Sequence, residues 1–204
     1  MISGAAPSLP SGLTLRGATT RAVRVPMTFA LGTSAAIVKT APLVLLDVLM
    51  EEGVVGRSYV FCYTTSGARA VVAHIADAME LLRGQPCKPQ AVFDMLSRRF
   101  TLIGVTGPVR MALSALDVAL WDAAAIAVGK PLAELLGAAR RPIPAYDSRG
   151  LGLMKPEQLA DEAEALLASG LKAVKLRLGY PTLAEDLRAL SAVRSGPTTA
   201  GDSV

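Results

Sequence analysis

Few side chains in this chain of 204 residues could do chemistry, and the most suggestive are two cations, Lys175 and Arg177, in the stretch Lys172-Ala-Val-Lys-Leu-Arg-Leu-Gly179. Side chains alternate faces along a strand, so the pair shares one side while Val174, Leu176 and Leu178 share the other. A cation is costly to bury, so either an anion lies opposite the pair or the strand lies open to water. Those alternatives point to an enzyme and to an incomplete fold respectively. The other candidates are weaker. His74, the only histidine, has no carboxylate or second histidine at helical spacing and reads as structural. Asp117 and Asp122 are five apart, so they do not share a helix face, and hydrogen bonding explains them better than acid–base work. Cys62 and Cys87 lack metal-ligand spacing, and the expectation is reduced thiols in a cytoplasmic protein.

The elements that must position the cation pair follow from periodicity. Residues 13–25 form a first strand that Pro26 ends, and residues 27–40 read as a mobile apolar loop. A strand over 42–50, a turn at Glu51-Glu52-Gly53 and a strand over 54–63 complete a three-stranded antiparallel sheet. Helices are expected over 66–82 and 89–100. A third, longer helix carries a ridge of small side chains at Ala112, Ala115, Leu116, Ala119, Ala123 and Ile126, against which a sheet or helix can approach closely. Gly129-Lys130-Pro131 ends it, 132–136 adds a turn, and a domain boundary falls near Arg140-Arg141. From Pro142 onward strand and helix alternate: a strand over 142–148, a helix over 155–169, a strand over 172–178 and a helix marked by Leu183, Leu187, Leu190 and Val193. Residues 1–12 read as a disordered leader and 196–204 as a disordered tail.

Composition narrows the function classes. At 51% hydrophobic and 19% charged, the chain can bury a core. Mean hydropathy of +0.42 raises the membrane question. The most apolar stretch is interrupted by Ser114, Asp117 and Asp122, which makes it a core helix and leaves no membrane partner. The net charge of +4 comes from scattered basic residues without interleaved aromatics, which argues against nucleic acid.

In several places the residues resemble the mandelate racemase branch of the mandelate racemase / muconate lactonizing enzyme family, within the enolase superfamily. The helix Ala112-Leu-Ser-Ala-Leu-Asp-Val-Ala-Leu-Trp-Asp122, followed by Gly129-Lys-Pro-Leu-Ala-Glu-Leu-Leu-Gly137, is similar to the family's helical signature, apart from Ala125 and Ile126. Thr40-Ala-Pro-Leu-Val-Leu-Leu-Asp47, Ser58-Tyr-Val-Phe-Cys-Tyr-Thr64, Ala145-Tyr-Asp-Ser148 and Lys175-x-Arg177-Leu-Gly-Tyr-Pro181 extend the match to roughly residues 13–194. The resemblance implies an α+β capping domain over 13–140 and, over 141–195, the first two β/α units of an incomplete TIM-type barrel.

It also implies a reaction, abstraction of the proton α to a carboxylate, of the racemase or acid-sugar dehydratase type. Mg²⁺ and cationic side chains stabilise the resulting enediolate in such enzymes. By resemblance Lys175 is the electrostatic lysine, and Arg177 stands where a lysine base is usual. Arginine stays protonated, so Arg177 can bind an anion but is a poor base. Ser148 matches a position near the substrate carboxylate, although Arg149 replaces a histidine beside it. Leu31, Val38, Phe61 and Tyr63 are the implied lid contacts. A TIM barrel has eight β/α units in about 250 residues, and the family's metal-binding carboxylates and histidine base lie in units beyond the second. The expectation is therefore a truncated relative that binds no Mg²⁺ itself and is inactive alone. Its substrate by resemblance is a small carboxylate of 2-hydroxy acid catabolism, and family members often form homo-oligomers. The alternative is a non-catalytic capping domain acting only through association.

Overall fold

A computed structural model describes residues 12–32 and 36–195. The expected leader and tail lie outside those residues, except for Gly12. The chain divides into two compact units, one of Met1–Val25 and Ala41–Arg141, the other of Pro26–Thr40 and Pro142–Val204.

In the first unit an antiparallel sheet has the order β1-β2-β3, from β1 (Leu15–Gly32), β2 (Ile37–Met50) and β3 (Val55–Phe61). Period-two alternation decides which face is buried: Val44, Leu46, Val48 and Met50 of β2 are sealed from solvent, while Leu45 is exposed and Asp47 half-buried. β2 pairs with β3 in a register that sets Leu46 opposite Ser58 and Val48 opposite Gly56. The turn uses Gly53 at φ +84, and the Glu52 carboxylate accepts from the Thr14 N–H at 2.9 Å. That bond holds Glu52 below the usual carboxylate range.

Four helices follow: α1 (Thr65–Leu82), α2 (Pro89–Arg99), α3 (Gly107–Val128) and the single turn α4 (Leu132–Leu135). Thr64 caps α1, its hydroxyl accepting from the Gly67 N–H at 2.9 Å. α3 ends where Gly129 adopts φ +65 and the Lys130 N–H donates back to the Ala125 carbonyl. Among the described residues α3 is the one helix long and apolar enough to cross a membrane by length and composition. Ten of its residues are buried, and it packs on β3, α1 and α2.

The contact between α3 and β3 is backbone-close. A Cβ on Gly56 would fall 2.0 Å from the Ala119 carbonyl oxygen and 2.8 Å from the Ala123 Cβ. On either side the Ser58 hydroxyl donates to the Ala115 carbonyl at 2.7 Å and the Arg57 N–H donates to Asp122 Oδ2 at 2.8 Å. The small residues of the ridge thus permit the approach, and Asp122 is structural. Ile126, expected on the ridge, is instead half exposed. Past Ala123 the buried side of α3 turns toward Ala124 and Ala125, which cluster with Leu135.

Two expectations in the sheet are corrected. β1 does not stop at Pro26, and 27–32 and 37–40 are strand rather than loop. A proline is tolerated because β1 is an edge strand, with no described strand beside Pro26 on its outer side to miss the N–H.

The second unit has α5 (Pro156–Leu167) and α6 (Leu183–Ser195) around a small core of Leu151, Leu159, Ala163, Leu166 and Ala189, with Phe29, Val174 and Leu176 packed on it. The expected strands over 142–148 and 172–178 reduce to one parallel bridge, Asp147 to Val174. The parallel sense matches β/α alternation. The ladder stays short because residues 148–153 turn away through positive φ at Gly150 (+62) and Leu151 (+43). α6 begins with a capping box: the Thr182 hydroxyl accepts from the Glu185 N–H at 3.3 Å, and Glu185 Oε2 accepts from the Thr182 N–H at 3.0 Å. Asp186 Oδ1 accepts from the Gly179 and Tyr180 N–H groups at 2.8 and 3.0 Å, which hold its pKa below the ordinary value.

Gly56→Ala is expected to destabilise the chain by about 3 kcal/mol, at the upper end of overpacking costs because the clash is with backbone. Denaturant unfolding measures it, and an unchanged midpoint would refute the close approach. Asp186 is stabilising above its unfolded pKa of about 3.9, and that contribution disappears as pH falls through the lower folded value. Asp186→Asn should therefore melt below wild type at pH 7, the gap closing below about pH 4. A gap independent of pH would show that the carboxylate charge is not involved.

Candidate functional site

The second unit contains a cleft of about 260 Å³. One wall is apolar, from Met27, Phe29 and Leu31 on the last turns of β1, and the opposing lining includes Ser148, Arg149 and Arg177. The path of residues 148–153 places those polar groups. Glu162 Oε2 accepts from the Leu151 N–H at 2.7 Å, and Gly150 takes φ +62, a conformation that favours glycine. β1 crosses the same loop closely: a Cβ on Gly152 would fall 2.7 Å from the Gly32 nitrogen.

Arg177 is anchored twice. Its N–H donates to the Leu151 carbonyl at 3.0 Å, and its Nη1 donates to the Gly150 carbonyl at 2.9 Å. The side chain is half buried, and its remaining donors are available to an anion in the cleft. Asp147 is buried at 3% exposure and receives a guanidinium fork from Arg149, with Nη2 to Oδ2 at 2.6 Å and Nε to Oδ1 at 3.0 Å. That fork holds the Asp147 carboxyl below the usual carboxylate range and raises Arg149 above its ordinary value. The Arg149 guanidinium also sits 5.8 Å from the centre of the Phe29 ring.

The cleft brings together three residues expected from sequence: Leu31, Ser148 and Arg177. Lys175 is exposed, bound through its backbone N–H to the Asp147 carbonyl at 2.8 Å, and does not line the cleft. Val38 is half buried near the start of β2 and does not line it either. Phe61 and Tyr63 belong to the first unit, where their rings meet edge to face at 4.5 Å, and Tyr63 is 62% exposed with φ +58. Leu178, placed by alternation on the apolar side with Val174 and Leu176, is half exposed. Sequence reasoning did not single out Met27, Phe29 or the Asp147–Arg149 pair. The acid-x-base spacing of Asp147 and Arg149 was the available signal.

The remaining reactive candidates are occupied by packing. Burial pushes the Cys87 thiol up to about 11, with the Glu52 charge adding to it, and burial raises Cys62 as well. Burial also raises Asp117, against a lowering hydrogen bond from Trp121. The His74 ring meets Phe100 edge-on at 5.9 Å, with its Nδ1 buried and unpaired.

A Mg²⁺ ion demands several oxygen ligands in near-octahedral array. Among the described residues no group of three or more His, Cys, Asp or Glu side chains could hold a metal. The two carboxylates nearest the cleft are committed, Asp147 to Arg149 and Glu162 to Leu151. The described donor set does not fit Mg²⁺.

Comparison with known proteins identifies the family of the chain. Residues 15–137 match the sequence profile described as mandelate racemase / muconate lactonizing enzyme, N-terminal domain. L-talarate/galactarate dehydratase of Salmonella typhimurium is 30% identical over 154 residues, which are 74% of this chain and 38% of the dehydratase. An enolase structure from the alpha-proteobacterial strain bal199, with bound Mg, superposes with a TM-score of 0.84 at 34% identity, over 91% of this chain and 52% of that one. A Bradyrhizobium enolase complexed with magnesium and mandelic acid gives 0.79 at 36% identity, over 92% and 52%. The chain thus spans about half the length of these solved structures and less than half of the dehydratase. With its three-stranded antiparallel sheet and helices matching the capping domain, the chain belongs to the mandelate racemase / muconate lactonizing enzyme family of the enolase superfamily.

Proposed function

We infer that this chain supplies the carboxylate-recognising side of a mandelate racemase-like site, whose reaction is abstraction of the proton α to a carboxylate, by racemisation or acid-sugar dehydration. The observation that supports it is the cleft in which Arg149, Arg177 and Ser148 face an apolar wall. Guanidinium groups bind carboxylates through paired, charge-assisted hydrogen bonds. They also oppose the second negative charge that appears when the α-proton leaves. The wall of Met27, Phe29 and Leu31 suits the less polar end of the substrate.

Proton transfer itself needs a group that exchanges a proton near neutral pH, and the arginines of the cleft cannot do so. The relatives' Mg²⁺ would need carboxylates that the described residues do not offer. We therefore assign substrate binding to this chain and turnover to a polypeptide that adds a base and metal ligands. A second reading, a non-catalytic module that works by association, draws on α6, where Leu183 and Leu187 are 73% and 54% exposed.

Incubating the purified chain with mandelate or galactarate and MgCl₂ in deuterated buffer should leave the α-proton NMR signal unchanged over days. Its loss would overturn the assignment of turnover elsewhere. Titrating mandelate into the labelled chain should shift the Ser148 and Arg177 signals. Arg177→Met should weaken that binding about tenfold, the scale of a lost charged hydrogen bond. Shifts confined to α6, or equal affinity in the variant, would favour the association reading.

A further inference from the structure

A second groove lies in the first unit, along the outer edge of β1. That edge is covered at its start: the Leu15 N–H donates to the Gln85 carbonyl at 2.9 Å, the Gly84 N–H donates to the Leu15 carbonyl at 2.7 Å, and the Cys87 N–H donates to the Leu13 carbonyl at 2.8 Å. Beyond it, over residues 17–25, β1 has β2 on one side and no described strand on the other. α1 runs beside this open edge. Between them is a cleft of about 270 Å³ lined by Ala18 and Thr20 of β1 and by Val72, Ile75, Ala76 and Met79 of α1, with Glu80 and Arg83 at its border.

We propose that this edge and cleft take an acidic, extended peptide segment, which adds to β1 as a fourth strand and seats an apolar side chain between β1 and α1. The backbone supplies the first half of the recognition. An added strand lies about 4.8 Å from its neighbour, pairs with the free N–H and C=O groups and sends alternate side chains to one face. Ala18 and Thr20 mark the face that looks onto α1, so alternate side chains of the added strand meet Val72, Ile75 and Met79.

Charge supplies the second half and decides the occupant. Arg16, Arg21 and Arg24 project from β1 and are exposed, and Arg83 borders the cleft, with none of the four in an ion pair among the described residues. Glu80 is the one acid in the lining. A second copy of the chain is a poor occupant. Antiparallel pairing of two copies of residues 17–25 about their centre sets Arg21 of one copy opposite Arg21 of the other. Like charges directly opposed across strands destabilise the pair. A strand bearing Asp or Glu turns the same contacts favourable. Pro26 limits the docking length, since it offers no N–H for pairing.

The full-length chain is titrated into a fluorescein-labelled peptide of sequence Glu-Val-Asp-Val-Glu-Leu-Asp, and anisotropy is read beside amide hydrogen exchange. The expected result is saturable binding with exchange slowed about tenfold or more over residues 17–25. Two variants at exposed positions should each weaken binding about tenfold or more while keeping the wild-type melting temperature: the double substitution Arg21→Glu with Arg24→Glu, which reverses the charge, and Ala76→Trp, which fills the cleft. A peptide with lysine in place of each acid, and one with proline at alternate positions, should not bind. Absent binding, equal binding of the lysine peptide, or binding without slowed exchange over 17–25 would overturn the proposal. So would exchange over 17–25 that slows with protein concentration alone, which would assign the edge to a second copy.

Discussion

The first unit depends on how closely β3 approaches α3. Gly56 lies so near the Ala119 carbonyl and the Ala123 side chain that no Cβ can be inserted. Ala115, Ala119, Asp122 and Ala123 form one helical face at spacings of three, four and seven. Alanines on that face give up apolar area that leucines would have buried, at about 25 cal/mol per Å². In return the helix comes near enough for two hydrogen bonds, from Ser58 to the Ala115 carbonyl and from the Arg57 N–H to Asp122. The apolar burial comes from the neighbouring faces, where Leu113, Leu116 and Leu120 are sealed. Because β3 is pinned to α3 at three successive residues, the β2–β3 register cannot slip by one position without losing all three contacts together.

The second unit is held by a different balance. Its apolar core is small, and the loop over 148–153 places Leu151, a branched residue, at φ +43. Such a conformation costs about 1–3 kcal/mol. A hydrogen bond to a charged group contributes about 1.5–3 kcal/mol, and the loop has two, Glu162 to the Leu151 N–H and Arg177 to the Gly150 carbonyl. The terms are of similar size, so the loop is set in place chiefly by polar contacts. The same contacts fix Arg177 at the cleft before any ligand arrives, which is the preorganisation that anion recognition requires.

Much of this was legible in the chain. Period two over residues 42–50, the turn at Glu51-Glu52-Gly53, the prolines opening α2 and α5 and the glycine ending α3 all act through short-range rules, and there the structure agrees to within a residue or two, although β2 begins at Ile37, five residues before the expected start. The ridge of α3 was visible as a pattern, but its partner Gly56 was not, because a glycine in a strand does not announce what approaches it. The continuation of β1 through Pro26 was hidden for a related reason. Proline reads as a strand end unless the strand is known to be an edge, and edge status is a property of the sheet. In the cleft, Arg177 followed from its place two residues from Lys175 in an apolar run, and Ser148 from resemblance. Phe29 and Met27 were missed because residues 27–40 showed no periodicity that would assign their faces. The strands at 142–148 and 172–178 were overcalled, since an apolar run signals burial and cannot by itself show that a ladder forms.

The pair that first drew notice, Lys175 and Arg177, is divided by this geometry. In a regular strand the two would project side by side toward one ligand. Here the backbone N–H of Lys175 bonds to Asp147, that of Arg177 bonds past the turn to Leu151, and only Arg177 lines the cleft. The lysine stands outside the cleft, and the member inside is an arginine, a poor general base. On the proposed reading, the carboxylate would be held by one part of the site and its α-carbon deprotonated from another. A cleft of this kind would favour the doubly charged enediolate over the singly charged substrate through its arginines, yet that preference lowers no barrier until a proton acceptor is placed on the open side.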